Sequence, residues 1–89
     1  MYWVYILLCF DGTFYVGHTR DLQDRLARHN AGTAALYTRI RRPVTLVYSE
    51  AHTEESNAVA REMQLKKWSR AKKKALIDGD MSRLRKLSH

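Results

Sequence analysis

Residues 3 to 8, Trp-Val-Tyr-Ile-Leu-Leu, form an unbroken apolar run rich in β-branched and aromatic types. It is too short for a comfortable helix and reads as a strand buried on both faces. Asp11-Gly12 follows, a strong hairpin signal because glycine takes positive φ without steric cost. Thr13 to Val16 then reads as the return strand, with Gly17 as its stop. A chain that opens this way is committed to a sheet whose first strand is central. Each strand carries a tyrosine, Tyr5 in Val4-Tyr5-Ile6 and Tyr15 in Tyr15-Val16-Gly17. Strand aromatics are usually core, so the hairpin alone favours packing over chemistry for both.

The chain has 89 residues, enough for one modest core and one domain. No apolar run approaches the length needed to span a bilayer, and no basic segment precedes the first strand as in a signal peptide. A cytoplasmic protein with no membrane partner is expected. The single Cys9 reads as a small buried hydrophobe. The net charge of +7 is unevenly placed. Residues 1 to 60 hold six Lys/Arg and six Asp/Glu; residues 61 to 89 hold ten and three. An excess confined to the C-terminal third points to a polyanionic partner, nucleic acid before membrane. A solvated lysine-rich helix explains the charge equally well.

After Gly17, Thr19 reads as the N-cap of a helix that ends at Gly32, with Leu22 and Leu26 as its buried stripe. Arg25 and His29 lie one turn apart on one face and could meet one phosphate, although an exposed Arg and a helix-end His are the commoner meaning of such a pair. Residues 33 to 43 read as a connector in which Arg39, Arg41 and Arg42 surround Tyr37, a set able to grip a phosphate or stack on a base. Val44 to Glu50 alternates as a third strand, with Val44, Leu46 and Tyr48 on one face. Thr53 opens a second helix through Trp68. Glu62 falls on or near its inner face, where a carboxylate must be paired, protonated or metal-bound; the alternative is a solvent-side pair with Lys66. Ser69 caps a third helix, Arg70 to Ile77, with Lys72, Lys73 and Lys74 exposed and Gly79 as its end. Met81, Leu84 and Leu87 suggest a final short helix, and Ser88-His89 a frayed end.

Taken together, Val4-Tyr5-Ile6, Tyr15-Val16-Gly17, the helix with Arg25, Asn30-Ala31-Gly32, Tyr37-Thr38-Arg39, Leu46-Val47-Tyr48 and Glu62 with Leu65-Lys66-Lys67-Trp68-Ser69 resemble the GIY-YIG nuclease superfamily. The match is strongest to its small stand-alone bacterial members and runs from Tyr2 to about Ile77. The resemblance implies an α+β fold, a three-stranded antiparallel sheet flanked by helices in the order ββαβαα. It implies hydrolysis of a DNA phosphodiester with one divalent ion, Mg²⁺ or Mn²⁺, in repair or recombination, with selectivity for DNA structure as a further expectation. By the same resemblance Tyr5 would serve as base or relay near the attacking water. Tyr15 would orient water or phosphate, Arg25 would neutralise charge, Glu62 would be the sole protein ligand of the metal, and Gly17 would allow close approach. Three features depart from the family pattern. The first tripeptide lacks its glycine, His18 stands where some members have Lys, and Lys72-Lys73-Lys74 occupies a region where many have Asn.

The chemistry is reasonable on its own terms. A phosphodiester resists attack because it is an anion, and an Arg with a metal ion offsets the charge of the transition state. A single carboxylate suits Mg²⁺, which keeps several waters. A phenol of ordinary pKa about 10 is a poor base at neutral pH, so His29, near 6.5, is the alternative base. His18, Arg39, Arg41, Arg42, Lys66, Lys67, Lys72, Lys73 and Lys74 are the candidate nucleic-acid contacts. With no attached DNA-reading domain in the sequence, specificity would come from this domain or a partner protein; the oligomeric state is not legible. The competing reading is a nucleic-acid-binding module of the same fold without efficient chemistry.

Overall fold

A computed structural model describes residues 1–88. Its elements are β1 (Tyr2–Cys9), β2 (Phe14–Thr19), α1 (Leu22–Ala31), α2 (Leu36–Arg39), β3 (Val44–His52), α3 (Glu55–Lys66), α4 (Arg70–Asp78) and α5 (Met81–Leu87). The sheet is antiparallel with order β2-β1-β3. β1 is therefore central, as its two-sided apolarity requires. Val4 and Ile6 face a core with Val16, Ala58, Leu65 and Leu76, contributed by β2, α3 and α4. Tyr5, Leu7 and Cys9 face the other way, onto Leu22 and Leu26 of α1. Among the described residues no helix is long and apolar enough to cross a membrane.

The β1–β2 turn is closed by hydrogen bonds from Gly12 N–H to the Cys9 carbonyl and from Cys9 N–H to the Thr13 carbonyl, with Gly12 at φ 84°. Asp11 braces it by accepting from the Thr13 hydroxyl at 2.6 Å and from Arg41 Nε at 2.9 Å. Gly17 does not end β2: it pairs with Tyr5, and the strand runs on to Thr19. Thr19 consequently lies in the strand, and the N-cap of α1 is Asp21, which accepts from Asp24 N–H. Gly32 ends α1 at φ 81° as expected. Part of the expected connector is the one-turn helix α2, and the Asn30 side chain ties its far end down by exchanging two hydrogen bonds with the Val44 backbone.

The expected alternation in β3 fails at a bulge. Ile6 pairs with Tyr48 but Leu7 with Leu46, so Val47 is the extra residue. The faces switch there: Val44 and Leu46 pack on the α1 side, and Tyr48 packs on the α3 side. There Tyr48 donates to Glu50, which also bonds His52 and Arg61 and so fastens α3 to β3. Helix α3 begins after Glu54, without the expected Thr53 cap. Ser69 does cap α4, accepting from Lys72 N–H, and Gly79 ends it. The three lysines of α4 do not share an exposed face, since adjacent helical residues point about 100° apart: Lys74 is exposed and Lys72 and Lys73 are half-buried. Leu84 anchors α5, and the Ser88 hydroxyl donates to the Leu84 carbonyl. His89 lies outside the described residues.

Candidate active site

The antiparallel register places Tyr5 opposite Gly17 and Leu7 opposite Tyr15, so Tyr5 and Tyr15 emerge on one face of the sheet. Both meet the same buried imidazole. His29 lies edge-on to Tyr5 and to Tyr15, with ring centroids 5.8 and 5.2 Å apart. The missing side chain at Gly17 makes this possible, because a Cβ there would stand 2.4 Å from the Tyr5 hydroxyl oxygen. The group that comes close at Gly17 is the Tyr5 phenol.

Tyr5 Oη and His29 Nε2 are 2.9 Å apart, and His29 Nδ1 and Thr38 Oγ1 are 2.7 Å apart. The direction of this chain follows from its far end. The Thr38 hydroxyl donates to the Ala35 carbonyl, which leaves its oxygen to accept from His29 Nδ1–H. Nε2 is then the lone-pair nitrogen, and Tyr5 donates to it. Thr38 is fully buried and was not singled out in the sequence beyond its place in Tyr37-Thr38-Arg39. A threonine's partner across nine residues has no sequence signal.

Burial pushes the Tyr5 phenol up to about 12, with Tyr15 and Glu62 adding to the rise and Arg25 opposing it. His29 moves the other way: burial and the nearby Arg25 charge lower its pKa, so the imidazole is neutral at pH 7. Arg25 is half-buried among Tyr5, Leu22 and Leu26 and, among the described residues, has no carboxylate within ion-pair distance.

Glu62 enters from α3 on the opposite face of the sheet, close enough that its charge acts on Tyr5. Its Oε1 bonds His18 Nδ1, and its Oε2 holds Lys66 Nζ at 2.6 Å. The Lys66 pair read from the sequence exists, but the Glu62 side chain is only 14% exposed. Burial alone would raise its pKa; the hydrogen bonds and charges of Lys66 and His18 hold it below the usual carboxylate range. His18 thus orients a carboxylate from the strand.

A groove of about 200 Å³ runs along the open edge of β2, lined by Phe14, Tyr15, Val16, Tyr37, Lys66 and Lys73. Tyr37 stacks on Tyr15 at 5.8 Å, and the Arg41 guanidinium covers its ring at 3.9 Å. Several expected nucleic-acid contacts are engaged elsewhere. Arg41 is held by Asp11 and the Tyr37 carbonyl, and Arg42 by the Arg39 and Asn30 carbonyls. Lys72 sits 4.3 Å from the centre of the Trp68 ring, and Lys74 pairs with Asp78. Arg39 borders a separate hollow with Gly32 and Leu36, and Lys67 one beside Trp68.

Comparisons with known proteins agree with this architecture. The family model for the GIY-YIG catalytic domain matches residues 1–75. A UPF0213 protein of Halobacterium salinarum is 51% identical over 86% of this chain and 100% of its own length. One from Staphylococcus saprophyticus is 46% identical over 85% of the chain and 93% of its own. The solution structure of the UPF0213 protein BH0048 from Bacillus halodurans superposes with a TM-score of 0.57 at 40% identity, covering 88% of this chain and 84% of that one. For EF2693 of E. faecalis the values are 0.62 and 39%, over 90% and 85%. The chain belongs to the GIY-YIG nuclease family, among its small UPF0213 members.

Proposed function

We propose that this protein is a divalent-metal-assisted endonuclease that hydrolyses DNA phosphodiesters, with a Tyr5–His29 pair as its base. The observation that carries the reading is the hydrogen bond from the Tyr5 phenol to a buried, neutral His29. A phenol near pKa 12 is ionised in only about one molecule in 10⁵ at pH 7 and cannot act alone. Paired, it need never ionise. The attacking water gives a proton to Tyr5 Oη as Tyr5 passes its own to His29 Nε2, and the water oxygen bonds to phosphorus. Only 2% of Tyr5 is exposed, so this step requires the small attacking water, rather than the phosphate, to reach its oxygen. Arg25, which has no carboxylate partner among the described residues, supplies positive charge to the phosphate, and Tyr15 orients the water or the phosphate at the groove.

The donor set fits one Mg²⁺ or Mn²⁺. Glu62 is a hard oxygen donor held ionised, and a half-exposed ammonium, Lys66, sits on its Oε2 where a metal cation would stand. Among the described residues there is no cluster of three or more His, Cys, Asp or Glu, so waters and substrate phosphate oxygens would complete the shell. When bound, such an ion lowers the pKa of water and offsets phosphate charge. His18 holds Glu62 in place. A role in repair or recombination and a preference for branched DNA extend the same reading, with specificity coming from the groove or a partner protein.

The test is nicking of plasmid, flap and branched DNA in Mg²⁺ or Mn²⁺. Glu62→Ala is expected to slow cleavage roughly 10²-fold or more while the fold persists. Unchanged cleavage removes Glu62 from the reaction; binding without cleavage by the unaltered protein returns the chain to a nucleic-acid-binding module.

A further inference from the structure

The three successive lysines of α4 have three different surroundings. Lys72 lies over the Trp68 ring and Lys74 is paired with Asp78. Lys73 alone lines the groove beside Tyr15, and among the described residues it has no carboxylate within ion-pair distance. A half-buried ammonium without a counter-ion is costly unless an anion comes to it. Its place is fixed by the fold: Ala75 and Leu76, two and three residues on, are core, so the helix cannot turn Lys73 away.

Its side of the groove matters. Tyr5 and His29 lie on the α1 face of the sheet, whereas α4 packs on the opposite face, and the edge of β2 separates them. In-line displacement at phosphorus puts the attacking and leaving oxygens on opposite sides. With the base on the α1 side, the leaving oxygen departs toward α4. Resting on the hydrolase reading above, we infer that Lys73 is the general acid that protonates the leaving oxygen. The step balances: water adds its oxygen to phosphorus, the bond from phosphorus to the leaving oxygen breaks, and that oxygen takes a proton from Lys73 Nζ. Burial also lowers the Lys73 pKa, which eases the transfer. Lys73 then regains its proton from solvent.

A substrate with sulfur in place of the leaving oxygen tests this, because a thiolate departs without an acid. The sulfur is placed by the end groups of the wild-type product, and cleavage of both oligonucleotides is timed with one metal ion. Lys73→Ala is expected to slow the oxygen substrate about 10²-fold and to leave the sulfur substrate within about threefold of wild type. Lys73→Arg, charged but unable to give up its proton, is expected to behave like Lys73→Ala. Equal slowing of both substrates, or recovery by Lys73→Arg, overturns the acid and leaves Lys73 as a phosphate contact only, with the hydrolase reading intact. If the wild-type protein cleaves neither substrate, both ideas fall together.

Discussion

At the scale of single residues, Tyr5 and His29 have opposite pKa displacements with one cause. Burial disfavours the charged form of each, raising a phenol and lowering an imidazole. The pair therefore rests as neutral phenol and neutral imidazole, the protonation state that the proposed relay starts from. Tyr5→Phe keeps the ring and removes the proton path. Turnover is expected to fall about 10²- to 10⁴-fold, while leaving Nε2 without its donor costs about 1–3 kcal/mol of stability; nicking rates and thermal melts separate the two. The pH dependence has a definite sign. His29 must be neutral to accept the proton, and its pKa lies below the ordinary 6.5 or so. The acid limb of the kcat/KM–pH profile is expected below that value, and activity to persist at mildly acidic pH. Stability follows the same group. The contribution from keeping His29 neutral is full above the unfolded pKa and is lost as pH falls through the lowered folded one. An acid limb above 6.5 would assign the base to another group.

At the scale of elements, the hairpin sets the site by register. Because Tyr5 pairs with Gly17, the phenol lies across a residue with no side chain. Gly17→Ala is thus expected to displace the Tyr5 hydroxyl, lowering turnover at least about tenfold and stability by about 1–3 kcal/mol, read by nicking and denaturant melts. Wild-type turnover in that variant would show that the hydroxyl position is unimportant. The central strand, the Asp11-Gly12 turn and the Gly32 and Gly79 helix ends were all legible, because each follows from local preference or from two-sided apolarity. The family pattern also named Arg25, His29 and Glu62 as candidates. Three things were not legible. The bulge at Val47 is a pairing event between strands, so no window of β3 reveals that Tyr48 changes face. The Asp21 cap displaced Thr19 because β2 continued past Gly17, a glycine kept for the phenol rather than for a stop. The Thr38 acceptor depends on how α2 docks beneath α1, a contact set by tertiary packing alone.

At the scale of the whole molecule, the basic C-terminal third does not become a uniform cationic surface. Of the ten Lys/Arg in residues 61 to 89, Arg61 is tied to Glu50, Lys66 to Glu62 and Lys74 to Asp78. Arg70 donates to the Gly12 carbonyl and covers Phe14, helping to hold the hairpin turn against α4. Net charge steers a polyanion toward the domain, but the phosphate contacts are set by cations without internal partners. Among the described residues two such cations are Lys73, at the groove on the α4 side, and Arg25, beside Tyr5 on the α1 side. This distinguishes the lysines of one helix. Binding of a DNA duplex is measured without metal across about 50 to 200 mM salt, and the slope of log K against log salt is compared among variants. Lys73→Gln and Arg25→Gln are each expected to reduce the slope by about one unit, whereas Lys74→Gln, whose partner is Asp78, leaves it nearly unchanged. Equal changes for Lys73 and Lys74 would mean that the helix acts only as a diffuse positive face. The groove would then have no privileged cation, and the route of the backbone past Tyr15 would have to be sought elsewhere on the domain.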